Sequence, residues 1–278
     1  MAAAAEIEMI VRRPEFNFED SERIWLPANP AFAYELNGGS LVLPYLEPYL
    51  IRVMRQAREA LGDRLPSLRR DIDLFNGQEA NHFKLHARYN QMLRARYDGI
   101  EELEAEIEAD FARMLREESL EFNLGYSAGF ETTGMITAQL YFGDEASLEG
   151  ADPATAGLWA WHLAEEYEHR CVAFEVFRAF GGTWRERIRM FFYQNRHLRS
   201  FGGRAARLMR EQDERAGRLV LQPQAIRRMQ RLGRRQALTG AWLLGRALLP
   251  WHDPRKHGAL GEADRFLDGL ETPNGLER

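Results

Sequence analysis

The sequence predicts an all-α protein, and three observations carry that expectation. Apolar residues recur at helical spacing through five successive stretches between Leu43 and Phe177. Turn-forming residues close three of those stretches, at Gly62, Gly143 and Gly181-Gly182. Acids and imidazoles interrupt the apolar faces at corresponding places, which gives four of the helices a shared polar interior.

With 278 residues, 45% hydrophobic and 28% charged, the chain has the composition of a soluble globular protein able to bury a sizeable core. A formal charge of −5 argues against nucleic acid as a partner, although Arg185 to Arg235 is locally basic. The single Cys171 excludes an intramolecular disulfide and a cysteine-built zinc site, and fits a reducing, cytoplasmic setting. It lies well round the helix from His169, as a small packed side chain would. The start, MAAAAEIEMIVRRPEFNF, lacks the pattern of a signal peptide. The longest apolar run, Leu238 to Trp251, is broken by Arg246 and too short to span a bilayer.

Residues 1–40 carry scattered Pro and Gly without a helical period, and are expected to form an irregular lead-in. The helical core is expected over 41–182. Its first helix runs from Leu43 to about Gly62, with Glu47 in the middle of an apolar stripe and Pro44 and Pro48 in the first turns, where proline is tolerated best. The second spans Pro66 to about Tyr97, and its inner face reads Leu68, Ile72, Phe75, Glu79, His82, Phe83, His86 and Asn90. Ile100 to Leu120 forms a third; its glutamate run is expected to be a solvated face. Phe122 to Phe142 is rich in small residues and carries Glu131 mid-stripe. Leu158 to Phe177 places His162, Glu166 and His169 in one narrow arc, at about 100° per residue, with Glu165 at its edge. Beyond it, residues 183–252 should hold basic amphipathic helices, from Trp184 to Phe201 and from Pro223 to Leu249. Packing on the core or oligomerisation, as a homodimer, is expected of them ahead of peripheral contact with a membrane. Residues 253–278 form a polar tail expected to be partly disordered.

In chain order the buried-face anomalies are Glu47, then Glu79-x-x-His82, then Glu131, then Glu166-x-x-His169. Residues three apart on a helix stand one above the other and can close on one ion. One Glu from each of two helices, with Glu-x-x-His from each of two others, is the ligand pattern of ferritin-like dinuclear carboxylate proteins. The expected fold is therefore a ferritin-like four-helix bundle, with a dinuclear metal site in its core and additional C-terminal helices. Buried ion pairs are the competing explanation, and Arg58 and Lys84 are the nearest cations to form them. His162, one turn before Glu166, is either a seventh ligand or a neighbour of the ligands. His86 and Glu165 are expected beside the ligands rather than among them, though Glu165 competes with Glu166.

The strings QEANHFKLHARYN (Gln78 to Asn90) and LWAWHLAEEYEHRCVAFEVF (Leu158 to Phe177) resemble a bacterial family of predicted metal-dependent hydrolases, of ferritin-like helical type. The resemblance covers roughly residues 20–210. Here LPYLEPY surrounds the first acid, in place of the family's Phe-Pro-x-Gly-Glu-like string. The His-x-x-x-Glu-x-x-His series from His162 is also similar to the di-iron arylamine N-oxygenases, which implies a seventh, histidine ligand.

Four carboxylates balance two divalent ions, and imidazole with carboxylate suits iron first, with manganese or zinc as alternatives. The chemistry expected first is activation of dioxygen to oxidise or oxygenate a small organic substrate. Its rivals are a metal-dependent hydrolase with a metal-bridging hydroxide as nucleophile, and a non-catalytic metal-binding or interaction protein. Phe75, Phe83, Met135, Phe142 and Trp159 are expected to be core first and substrate pocket second.

Overall fold

A computed structural model describes residues 9–219 and 221–271, and among them there is no strand. The expectations for the extreme ends, 1–8 and 272–278, lie outside these residues. The chain forms α1 (Pro30–Ser40), α2 (Leu43–Leu61), α3 (Pro66–Arg96), α4 (Ile100–Glu117) and α5 (Leu120–Phe142). It continues with α6 (Pro153–His169), α7 (Val172–Ala179), α8 (Trp184–Arg215), α9 (Pro223–Ala247) and α10 (Gly261–Glu271).

The helix ends follow local chemistry. Pro44 opens α2, Gly62 closes it at a positive φ of 58°, and Pro66 opens α3. The side chains of Ser119 and Asp152 cap α5 and α6, and α8 begins with a reciprocal Thr183–Glu186 capping box. α2 packs along α3, α5 along α6, and further contacts join α2 to α5 and α3 to α6, so these four helices enclose a helical-bundle interior. α8 runs along α5 and α1, and α10 lies on α6. Trp25, Trp161, Tyr49, Tyr89, Tyr126 and Phe75 are the largest fully buried side chains.

Several expectations are corrected. Residues 30–40 are helical: the Asn29 side chain caps α1, and its buried face is built from Ala33, Tyr34, Leu36 and Asn37. Gly38 faces Gly202 of α8 so closely that a Cβ at Gly38 would collide with the Gly202 carbonyl. The predicted helix from Leu158 to Phe177 is two helices, α6 and α7, separated after His169. α8 continues past Phe201 to Arg215, where buried Asp213 accepts hydrogen bonds from Tyr34 and Tyr97, both at 2.7 Å, and from Arg218. The tail contains α10. Phe83 is half-buried beneath Lys84, while Phe75, Met135, Phe142 and Trp159 are core. On α4 the glutamates are solvated except Glu104, which is buried and takes two bonds from Arg94, at 2.8 and 3.0 Å.

Candidate metal centre

The four enclosing helices bring all seven predicted ligand residues together. α2 supplies Glu47, α3 Glu79 and His82, α5 Glu131, and α6 His162, Glu166 and His169; none is more than 2% exposed. Two groups are close enough for their donor atoms to share an ion: Glu47, His82 and His162, and Glu79, Glu166 and His169. Glu131 falls outside both groups but stands beside the second, with Oε2 3.2 Å from His169 Nε2.

Two carboxylates lie between the groups. Glu166 Oε1 is 3.6 Å from His162 Nε2, 3.6 Å from His169 Nε2 and 4.0 Å from His82 Nδ1. Glu79 reaches both sides as well, with Oε2 3.7 Å from His82 Nδ1 and Oε1 3.3 Å from His169 Nε2. Gly134 of α5 makes room for this arrangement, because a Cβ there would collide with the Glu166 carboxylate.

For His82 and His169 the ring nitrogen that faces the centre is selected by a partner on the other side of the ring. His82 Nε2 donates to Glu165 at 3.0 Å, which leaves Nδ1 inward. His169 Nδ1 donates to Gln78 Oε1 at 2.9 Å, which leaves Nε2 inward. Gln78 is oriented in turn, since its Nε2 donates to Glu168 at 2.8 Å and to the Ile10 carbonyl at 3.0 Å. Arg12 joins the two supports, bonding Glu165 at 3.3 Å and Glu168 at 2.9 and 3.0 Å. Carboxylate and amide supports of this kind are how proteins set the tautomer of metal-binding histidines. Edge-on contacts from Trp161 to His82 and from Phe75 to His169, with centroids 4.7 and 4.8 Å apart, hold the ring planes.

Glu165 is thus a partner of His82, on the far side of that ring from Glu166. His86 has a different anchor. Ser40 Oγ donates to Asn90 Oδ1 at 2.6 Å, so it accepts from His86 Nδ1 at 2.8 Å. The His86 Nε2 lone pair is left without a hydrogen-bond partner, and the ring stands 4.8 Å from that of His162.

The electrostatics of the metal-free centre are costly. Burial, reinforced by Glu79 and other neighbouring acids, raises Glu47 well above the usual carboxylate range, and burial also raises Glu79. Burial together with the nearby Glu166 charge pushes Glu131 up to about 8. Glu166 goes the other way: burial opposes its charge, but its histidine neighbours outweigh that and hold it at about 2. Burial alone would lower His82, yet Glu165 and Glu79 lift it to about 9. His162 is brought down to about 3 by burial and by His82.

The cations expected from the sequence do not balance the acids of the site. Arg58 bonds Asp73 and Lys84 lies over Phe83, so neither predicted cation enters it. Both carboxylate oxygens of Glu47, Glu79, Glu131 and Glu166 are buried without a hydrogen-bond partner, as are His82 Nδ1, His162 Nδ1 and His169 Nε2. Buried polar atoms are rarely left this way, and so many converging on one interior fit cations coordinated by them.

Arg12, Gln78, Glu168, Ser40 and Asn90 were not among the predicted site residues. Gln78 and Asn90 bracket the motif around Glu79 and are the two that the pattern could have offered. Arg12 sits in a segment without periodicity.

The model of a family described as predicted metal-dependent hydrolases matches residues 10–258, more of the chain at both ends than the motif resemblance covered. No curated protein and no solved structure matches the chain.

Proposed function

The chain belongs to the predicted metal-dependent hydrolase family, and from that premise we propose that it is a dinuclear metal-dependent enzyme hydrolysing a small organic substrate. The observation that carries the proposal is the pair of facing ligand groups whose inward atoms have no partner in the protein. Glu47, His82 and His162 would hold one ion. Glu131 and His169 would hold the other, with Glu79 and Glu166 shared between them. The ions would supply Lewis acidity, lowering the pKa of water and polarising the bond to be cleaved.

The protein's own share is orientation and proton placement. Glu165 keeps a proton on His82 Nε2 and Gln78 keeps one on His169 Nδ1, so each ring would turn its other nitrogen to the ions. Ser40 and Asn90 hold His86 with its proton on Nδ1. Its unpartnered Nε2 would then be an acceptor beside His162, able to orient a donor on water or substrate. The packed α2, α3, α5 and α6 exclude bulk solvent, which strengthens these interactions.

One observation favours a second reading. Four carboxylates accompany three histidines, a donor set richer in oxygen than most zinc hydrolases use and suited to iron and dioxygen. Donor chemistry and the His162 series favour dioxygen activation; family membership moves hydrolysis ahead. A panel of simple esters, amides and phosphate esters, assayed with Zn²⁺, Mn²⁺ or Fe²⁺ in air and under nitrogen, separates the two. Hydrolysis that persists under nitrogen is the expected result. Turnover that requires both ferrous iron and dioxygen would overturn it in favour of the second reading.

A further inference from the structure

α9 is a helix whose outer face has no use inside the molecule. It carries six arginines and no acidic residue, in a chain whose formal charge is −5. Only Leu232, Leu243 and Ala247 are buried, where the helix lies against the body of the protein. On a helical projection Arg231, Arg234, Arg235, Leu238, Trp242 and Arg246 fall within an arc of about 120° on the other side. Leu238 is 75% exposed and Trp242 60% exposed, among the most exposed large apolar side chains described. Arg246 stacks on the Trp242 ring at 4.8 Å. Arg228 pairs with Glu149, whereas Arg231, Arg234 and Arg235 form no ion pair among the described residues.

We propose that this face of α9 docks the protein on an anionic lipid surface, with Leu238 and Trp242 entering the interfacial layer and the surrounding guanidiniums meeting lipid phosphates. The charge complementarity is direct, because every ionised group on the helix is cationic. The apolar centre discriminates among occupants. A leucine and an indole projecting from a ring of arginines match the boundary between headgroups and acyl chains, where an interfacial helix lies flat. Nucleic acid would meet the same arginines but would leave Leu238 in contact with phosphate and water. A second copy applied about a two-fold axis would set each arginine cluster against its twin, so the homodimer expected of these basic helices is disfavoured on this face. No described helix is long and apolar enough to cross a membrane, so this is surface attachment.

Co-sedimentation of the full chain with vesicles tests the proposal. Vesicles of phosphatidylcholine with phosphatidylglycerol should pellet the protein at low salt, vesicles of phosphatidylcholine alone should not, and raised salt should release it. Arg231→Glu/Arg234→Glu/Arg235→Glu should weaken vesicle binding on the order of 100-fold. Leu238→Ser/Trp242→Ser should weaken it by about tenfold while circular dichroism stays unchanged. Absence of binding to the anionic vesicles, or full binding by both variants, would overturn the proposal. Tighter binding to duplex DNA than to the vesicles, lost in the arginine variant, would reassign the face to nucleic acid. None of these readouts depends on the reaction at the metal centre.

Discussion

At the scale of single residues, the centre is a set of groups whose preferred protonation states suit the absence of metal poorly. Glu131 is raised from 4.5 to about 8 and His82 from 6.5 to about 9, and Glu79 is raised in the same direction. Each therefore keeps a proton in the folded metal-free protein that the unfolded chain has released. The Glu131 contribution to stability declines as pH rises from 4.5 through about 8, and the His82 contribution, complete below 6.5, is lost through about 9. Glu166, held near 2, stays ionised throughout that window, while His162, lowered from 6.5 to about 3, adds a smaller opposing gain that is complete once pH passes 6.5. Metal-free protein should thus lose stability, on the order of a few kcal/mol, between about pH 6 and pH 9. Metal binding replaces those protons and should abolish the trend. Denaturant unfolding at the two pH values, with and without metal, measures it; metal-free stability that rises across this range would contradict the assignment of these protonation states.

At the scale of elements, the ligand positions depend on how closely α5 and α6 approach. Gly134→Ala places a methyl group against the Glu166 carboxylate. The expected result is a folded helical protein whose metal affinity falls by ~10–100-fold, comparable to the loss of a ligand's supporting partner. Isothermal titration with Zn²⁺ reads this directly, and wild-type affinity would show that Glu166 is not constrained there. The same elements show what could be read in advance. α2, α3 and α5 were legible because Glu47, Glu79, His82 and Glu131 interrupt otherwise apolar helical faces, and a buried acid is too costly to be accidental. The break after His169 was not legible, because the apolar pattern runs on through Ala173 and Val176. At the break the Arg170 guanidinium bonds the Tyr167 carbonyl one turn back and, from the later chain, the carbonyls of Pro254 and His257, at 3.1 and 3.0 Å. Gly38 belongs to the scattered glycines of the expected irregular lead-in, and Gly202 lies just past the expected end of a helix at Phe201. In the fold they are the point where α1 and α8 touch.

At the scale of the whole molecule, four helices and two supporting residues outside them serve one centre. The four ligand helices supply the inward atoms, Arg12 braces Glu165 and Glu168 from outside, and Ser40 at the end of α1 anchors His86. The motifs located the first of these. The other two arise from packing that local spacing does not encode, which is why Arg12 and Ser40 could not be read in advance. α9 stands apart from this construction, its basic outer face turned away from the core. The claim on which the rest depends is that the interior is built for two metal ions. Metal analysis of the purified protein, beside Glu79→Ala and His169→Ala, tests it most directly. About two ions per chain are expected in the wild type, in keeping with the two ligand groups, and loss of metal in both variants with their helical circular dichroism retained. A wild type that binds no metal, or variants that keep the full complement, would contradict it.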